Sequence, residues 1–479
     1  MIGRPASWAT SLLAATLVST GGCAFMKPPA EPATHERQTA PLQASTVQGI
    51  SAQWPEANWW RGYGDDTLDK LIETALRDSP GMASAAARFS TASENARVAG
   101  AAAGLQIDAS ASYEVYRLSD NGLIPPDFLG YHWVNQSDLG ISAKYTFDWW
   151  GRNRSLIESA TNQARASEAE QQGAALTLAA SIAQTYFGWQ LDAARIALLD
   201  EQLATLQQAA LIAQHRASAG LDRSDESDRN RREQSSMREL RTQLLGAQKL
   251  RVIELAALLG TSPDQVASLL QPHALPKPRA GLPANASIDL IAHRPDIAAS
   301  RWRVEAARKD VAAVRAEYYP DISLHALAGL SSVDLVKLLE TGSWAPSLGI
   351  ALHLPLFDSG LRGARHDEAS SRLAAAVARY NETIVDAARE VGTAATTLEQ
   401  SAAQRAERAQ QIEAADLLLR AAHARQQSGV ADIRPELEAR LSLQREQDAS
   451  LQLDYATLVA DIQLQSALGG GLTTTETSP

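Results

Sequence analysis

The chain of 479 residues contains one series of features twice, and this internal repeat limits its possible folds more than any other feature. When the sequence is laid on itself, Pro80 aligns with Pro295 and Gly220 aligns with Gly429. A repeat that occurs twice predicts a duplicated, pseudo-symmetric protomer, because a solenoid would need three or more short repeats. The two copies cover residues 65–260 and 280–468.

Two segments in each copy alternate apolar and polar residues. They are residues 107–116 and 138–148 in the first copy, and residues 322–331 and 347–356 in the second. Alternation with a period of two predicts β-strands that have one apolar and one polar face. Each segment is roughly ten residues long, which is the length that a tilted strand needs to cross a bilayer. Half-buried strands of a soluble sheet would show the same alternation.

Two hairpins of two strands each cannot close a barrel by themselves. In lipid, an open sheet edge is not tolerated, because its backbone N–H and C=O groups would lack partners. If these strands cross a membrane, several copies of the chain must therefore combine them. Three copies would supply twelve strands and two copies would supply eight, and the strands alone do not decide between these numbers.

The rest of the chain has the apolar spacing of long helices. Residues 152–218 and 361–428 would form the longest pair. A helix of about 67 residues spans roughly 100 Å at 1.5 Å per residue. Leu199, Leu203 and Leu206 lie at the spacing of a coiled-coil seam, which indicates packing and carries no chemistry. Further helices are predicted at residues 67–103, 230–259, 288–318 and 434–467.

A glycine follows each of the two longest predicted helices, at Gly220 and at Gly429. A glycine after a long helix is usually a C-cap in the left-handed region of backbone space. The chain then folds back into another helix in both places. The sequence therefore predicts two helical hairpins in each protomer, with these glycines at their tips.

The N-terminus has the plan of a secretory signal peptide over residues 1–22, with Arg4 before an apolar stretch that is too short to span a membrane. Cys23 is the only cysteine, so neither an intramolecular disulfide nor a cysteine-based metal site is possible. A single cysteine at this place resembles a bacterial lipoprotein signal, in which the thiol receives a lipid. Thr20 departs from the usual leucine, and the alternative is an ordinary signal peptide with an incidental cysteine.

The sequence offers no sign of catalysis. The net charge of −11 argues against a nucleic-acid-binding surface. There is no HExxH spacing, no P-loop and no nucleophile elbow. We therefore expect no enzymatic activity, no metal site and no cofactor, apart from a covalent lipid on Cys23. His325 and His353 fall on polar strand faces, and Trp149 with Trp150 is typical of an aromatic girdle at a membrane interface.

Five segments occur in a fixed order along the chain after about residue 50. They are WWRGYGDDTLDKLIETAL (Trp59–Leu76), HRPDIAASRWRVEAARKDVAAVRAEYYPDISL (His293–Leu324), PLFDSGLRGAR (Pro355–Arg365), SGVADI (Ser428–Ile433) and SALGGGL (Ser466–Leu472). Together with the duplication and the cysteine signal, these segments resemble the TolC family of outer-membrane channel proteins. Within that family the chain is most similar to the lipoprotein branch, which is NodT-like or OprM-like.

The resemblance implies an α+β membrane protein that assembles as a homotrimer. Similar proteins place four strands per protomer in a twelve-stranded β-barrel in the cell outer membrane. A long α-helical coiled-coil tunnel continues the barrel across the periplasm, and an equatorial domain surrounds the tunnel. Loops 118–137 and 331–345 would then face outside the cell.

The family order also implies domain boundaries, with each copy of the repeat forming one domain. These are a signal peptide (1–22), a lipidated tether with an equatorial segment (23–66), a first repeat (67–260), an equatorial linker (261–287), a second repeat (288–468) and a tail (469–479).

The function that the resemblance implies is a passive exit duct for drugs or other small toxic compounds. The expected partners are outer-membrane lipid, a periplasmic adaptor protein and an inner-membrane RND-type transporter. By resemblance, the adaptor would contact the hairpin tips at Gly220, Leu221, Gly429 and Val430. Glu438 would contribute to a ring of carboxylates at the periplasmic gate, which attracts cations and repels anions.

The segments FDWWGRNR and FDSGLRGAR are predicted to be the joints at which a barrel strand becomes a tunnel helix. The first joint contains Phe147, Asp148, Gly151 and Arg152, and the second contains Phe357, Asp358, Gly360 and Arg362.

Two other functions are compatible with parts of the sequence. The chain could be the outlet of a type I protein secretion system, which belongs to the same family. It could also be a periplasmic coiled-coil scaffold that conducts nothing, although such a scaffold has no use for four alternating strands.

Overall fold

The structure is a computed structural model. Several of the predicted features lie outside the residues that it describes. Cys23 and the predicted signal peptide lie outside the described residues, as do part of the linker and most of the tail. The described ranges are residues 34–40, 54–121, 125–221, 225–278 and 293–471.

The described chain divides into two compact units, each built from separate stretches of sequence. The first unit contains Ser90–Ala166 and Arg301–Arg379. The second contains the described residues of Glu36–Phe89, Ser167–Ser300 and Tyr380–Pro479. Both repeats contribute to both units, so the predicted domain boundaries along the chain do not coincide with these units.

The first unit contains one antiparallel sheet, and all four predicted strands are confirmed. The order in the sheet is β1-β2-β3-β4, so β1 and β4 form its edges. The strands are β1 (Gln106–Arg117), β2 (Trp133–Phe147), β3 (Asp321–Ser332) and β4 (Ser347–His353).

Two strand boundaries were predicted wrongly. β4 ends at His353 and does not reach Leu356, because Pro355 lacks the N–H that a strand needs and restricts the residue before it. β2 begins at Trp133, inside the loop predicted at 118–137. A short helix, α3 (Pro126–Leu129), occupies part of the remaining loop.

The pairing of β2 with β3 joins the two repeats within one sheet. Gly140 on β2 lies opposite Gly329 on β3. A Cβ added at Gly140 would lie 3.0 Å from Cδ1 of Leu327 and 3.2 Å from Cα of Gly329. These glycines therefore let the two central strands approach closely on the polar face of the sheet.

The helices account for most of the described chain, and the two longest, α4 (Arg152–Ser218) and α8 (Leu361–Gln427), have 67 residues each, close to their predicted bounds. No helix within the described ranges combines the length and apolar character needed to cross a membrane. All α-helices of the described residues except α3, which is given above, follow in chain order. They are α1 (Asp66–Asp78), α2 (Pro80–Ala102), α4 (Arg152–Ser218), α5 (Asp225–Leu259), α6 (Pro263–Leu269), α7 (Pro295–Ala316), α8 (Leu361–Gln427) and α9 (Arg434–Ala467).

The single helix predicted at 67–103 is wrong, because the chain breaks at Ser79 into α1 and α2. Pro80 cannot donate a backbone hydrogen bond and disfavours helical geometry at the residue before it. Ser79 has extended geometry, and its hydroxyl accepts the N–H of Met82 at 3.1 Å. α7 begins at Pro295, and residues 288–292 of the helix predicted at 288–318 lie outside the described residues.

An aromatic cluster lies at the centre of the second unit. Trp59, Trp60 and Tyr63 come from the first quoted segment, and all three are buried with Phe187 of α4. The rings of Tyr63 and Phe187 meet edge to face at 5.4 Å, and the Tyr63 hydroxyl donates to buried Asp461 at 2.9 Å. Burying such side chains contributes roughly 1.5–3 kcal/mol each. The WWRGY sequence therefore serves to pack the core.

The HRPD segment (His293–Asp296) connects the start of the second repeat to its end through the contacts of Arg294. Arg294 is only 7% exposed, and its guanidinium donates to the carbonyl of Ala467 at 2.7 Å. It also forms ion pairs with Asp296 at 2.7 Å and with Glu390 at 2.9 Å. A Cβ added at Gly469 would lie 2.1 Å from the carbonyl oxygen of His293, so only glycine fits beside this segment.

A similar close approach occurs in the first repeat. Gly260 follows α5 with a φ of +71°, and a Cβ added there would lie 2.5 Å from Cδ of Pro80. Both repeats thus place a helix-ending glycine against the chain where a proline-initiated helix begins.

This contact yields a prediction with a matched control. Gly64 has a φ of +68° and open space around it, whereas Gly260 has the same backbone geometry and a close neighbour. Gly64→Ala should cost about 1–2 kcal/mol from the left-handed conformation alone. Gly260→Ala should cost more, because Pro80 must also move. Thermal unfolding of the purified protein measures this difference, and equal losses for the two variants would show that the contact is unimportant.

Candidate functional site

The first strand-to-helix joint is built around the carboxylate of Asp148. β2 ends at Phe147 and α4 begins at Arg152. The two oxygens of Asp148 accept the backbone N–H groups of Asn153 at 3.0 Å and Arg154 at 2.8 Å. Gly151 makes the turn with a φ of +74°. A carboxylate here satisfies N–H groups that lack helical partners and interacts favourably with the positive end of the helix dipole.

The second joint also has an aspartate whose carboxylate caps the start of the helix, with small changes. Oδ1 of Asp358 accepts the N–H of Gly360 at 3.1 Å, and Oδ2 accepts both the backbone N–H of Arg362 at 3.2 Å and its Nε at 2.6 Å. The hydrogen bond from the Arg362 side chain lowers the pKa of the Asp358 carboxyl. Ser359 and Gly360 turn the chain with φ values of +56° and +88°. Phe357 lies in this turn, four residues beyond the end of β4.

One carboxylate contacts both joints, and sequence reasoning missed it. Glu317 lies between α7 and β3, with 19% of its side chain exposed. Its Oε1 is 3.4 Å from Nη2 of Arg152, and its Oε2 is 3.2 Å from Nη1 of Arg365. Its only sequence signal is an acid just before a strand. The contacts join three distant stretches of the chain, so no local spacing could have shown them.

The aromatic residues of the first joint have different environments. Trp150 stacks on Tyr319 with ring centroids 4.6 Å apart, and its Nε1–H donates to the carbonyl of Pro320 at 2.9 Å. Trp149 is 69% exposed and meets the ring of Phe147 edge to face at 6.5 Å. Trp150 therefore holds the joint together, while Trp149 presents its ring outward.

Both hairpin tips have the geometry predicted for them. Gly220 and Gly429 have φ values of +67° and +70°, which confirms the left-handed C-caps. The residue after each glycine donates its N–H to a carbonyl five positions earlier, at 2.9 Å and 3.0 Å, as in the Schellman motif. Those residues, Leu221 and Val430, are 66% and 78% exposed. Each tip therefore exposes one aliphatic side chain.

A charged contact links the second tip to the first hairpin. The carboxylate of Asp432 pairs with Arg434 at 2.8 Å and lies 3.9 Å from the guanidinium of Arg216 on α4. The hydrogen bond from Arg434 lowers the pKa of Asp432. The contact with Arg216 holds the ends of the two hairpins together within one protomer.

The predicted gate residue Glu438 lies on an exposed face of α9. Glu436, two residues earlier, is only 5% exposed and contacts Arg440 at 2.8 Å and His423 at 3.1 Å. The role of Glu438 in a carboxylate ring stays a prediction. Within the described ranges, no group of three or more His, Cys, Asp or Glu side chains is arranged to hold a metal ion.

The shared contacts of Glu317 can be tested directly. Glu317→Gln keeps the size of the side chain but removes the charge that faces Arg152 and Arg365. We expect a loss of thermal stability of roughly 1 kcal/mol, since each partly exposed pair contributes less than that alone. Glu305→Gln is the matched control, because Glu305 is 4.0 Å from Arg308 of the same helix. If both variants unfold at the same temperature as the parent protein, Glu317 does not stabilise the joints.

Comparison with known proteins places this architecture among named relatives. A family model described as "Outer membrane efflux protein" matches residues 71–261 and 287–470. Multidrug resistance outer membrane protein MdtP of Escherichia coli (strain K12) is 30% identical over 476 residues, covering 95% of this chain and 94% of the relative. MdtQ of Escherichia coli O157:H7, also named a multidrug resistance outer membrane protein, is 31% identical over 465 residues, covering 95% and 96%.

Solved structures give the same result. The outer membrane protein VceC of Vibrio cholerae is 32% identical and superposes with a TM-score of 0.79, covering 87% of this chain and all of that one. The outer-membrane channel OprN shares the fold at 23% identity with a TM-score of 0.83, covering 93% and 99%. These matches confirm the resemblance seen in the five quoted segments. The chain belongs to the outer membrane efflux protein family, whose members lie in the outer membrane.

Proposed function

We propose that three copies of this chain form a passive exit channel in the outer membrane for drugs or other small toxic compounds. The observation that carries the proposal is a four-stranded sheet with two open edges whose strands lead directly into two helices of 67 residues each. A sheet of this kind needs further strands, and helices of this length, roughly 100 Å, are long enough to form a tunnel.

The two faces of the sheet support its placement in lipid. Ile107, Ile141 and Ile350 lie on one face and are largely exposed in the single chain. A large exposed apolar face is unfavourable in water, and lipid would cover it. The opposite face carries Asp108 and Lys144, which suits a water-filled interior. Three copies would combine into twelve strands and remove both open edges.

The hairpin tips support a partner-operated gate. Leu221 and Val430 are exposed aliphatic side chains beside Gly220 and Gly429, and we assign contact with a periplasmic adaptor protein to these four residues. An inner-membrane RND-type transporter would supply the energy. Glu438 would line the constriction, where carboxylates from several copies attract cations.

The substrate class is supported by the relatives. MdtP and MdtQ are named multidrug resistance proteins, and they match nearly the full length of the chain. This favours drug efflux over the type I secretion outlet. A scaffold without a channel would leave the apolar face of the sheet uncovered. A lipid on Cys23 would add a second attachment to the membrane.

The channel and its gate can be tested with one set of recordings. Purified protein in planar lipid bilayers should conduct at a low level, because the tips hold the channel closed. Asp432→Asn should raise the mean conductance several-fold, since it weakens the contact with Arg216. Asp416→Asn is the matched control, because Asp416 pairs with Arg420 of its own helix. Absence of conductance in all three proteins would contradict the channel, whereas equal conductance would contradict only the role of Asp432.

A further inference from the structure

The first joint carries a group of aromatic and cationic side chains, of which Trp149 and Arg154 are exposed and the others are partly buried. We name this group the joint patch: Tyr145, Phe147, Trp149, Arg152 and Arg154. The three rings follow one another along one face of the strand end. Tyr145 and Phe147 meet edge to face at 5.1 Å, and Phe147 meets Trp149 at 6.5 Å. This face also carries the apolar residues of β2, so the patch continues the surface that lipid would cover.

Of the two arginines in the joint patch, only Arg154 lacks an ion pair within the described residues. Glu158, one helical turn beyond Arg154, pairs with Lys309 at 2.6 Å. Arg154 is exposed and has no carboxylate within ion-pair distance among the described residues. Arg152, by contrast, is partly buried, and its Nη2 is paired with Glu317 at 3.4 Å.

The second joint differs in this respect although it has the same architecture. Arg362 forms an ion pair with Asp358 at 2.6 Å, and Arg365 forms one with Glu317 at 3.2 Å. After the Phe-Asp pair its sequence has Ser359 and Gly360, where the first joint has two Trp residues. An exposed arginine without an ion pair, five residues beyond an exposed tryptophan, therefore distinguishes the first joint from the second.

We propose that the joint patch binds the headgroup of an anionic phospholipid in the periplasmic leaflet of the outer membrane. The inference rests on the proposed function, because that function puts the ends of the strands at the membrane surface. Guanidinium groups match phosphate oxygens in geometry and charge. An exposed Trp at a strand end favours the interface between acyl chains and headgroups, where Trp149 would pack beside the bound lipid.

The proposal predicts a preference that depends on Arg154. Full-length protein is purified in detergent and mixed with phosphatidylglycerol or phosphatidylcholine, and retained lipid is counted by native mass spectrometry. The parent protein should retain phosphatidylglycerol preferentially. Arg154→Gln should weaken that retention about fivefold, which is the effect of removing one arginine from an anionic lipid surface. Arg154→Lys should restore part of it, because the positive charge returns.

Arg365→Gln is the matched control, because it removes the same charge from the other joint and should leave the preference intact. Equal losses in Arg154→Gln and Arg365→Gln, or no preference in the parent protein, would overturn the proposal. Competition by inorganic phosphate alone would also overturn it, since the site would then bind a free anion. Failure of the protein to insert into vesicles of either lipid would instead overturn the proposed function and this inference with it.

Discussion

The two unpaired edges of the four-stranded sheet are the constraint on which the rest of the structure depends. β1 and β4 each present a row of backbone N–H and C=O groups to one side. In lipid, each such group without a partner costs several kcal/mol, so a single chain cannot remain in a membrane in this form. A sheet with both faces in water is also unfavourable, because one of its faces is apolar. We propose that further copies of the chain are the partners that satisfy both conditions.

At each joint the chain passes from a strand of the sheet into a long helix. Asp148 and Asp358 cap the helices that follow the strands, and glycines with positive φ allow the sharp turns. Glu317 adds contacts to both joints from a third stretch of chain. The helices therefore leave the sheet from fixed starting points, as the proposed channel requires.

The sequence predicted those features that depend on local periodicity. The bounds of α4 and α8 agree with the prediction almost to the residue, because an apolar seam within α4 and a glycine near each end of both helices are strong local signals. The break at Ser79 and the early end of β4 at His353 were missed, although nearby prolines signal both. Glu317 could not be found at all, since its partners are distant in sequence. The role of Glu438 stays a prediction, because a ring of carboxylates would need further copies of the chain.

The number of copies in the membrane-extracted protein tests the central claim most directly. Native mass spectrometry of the full-length protein in detergent counts the chains in each particle. Closure of the open edges by four strands from each of three chains predicts particles of three copies, which dissociate together when the sheet unfolds. Particles of one copy would show that the edges stay open, and particles of two would require an eight-stranded sheet; either result would contradict the twelve-stranded channel.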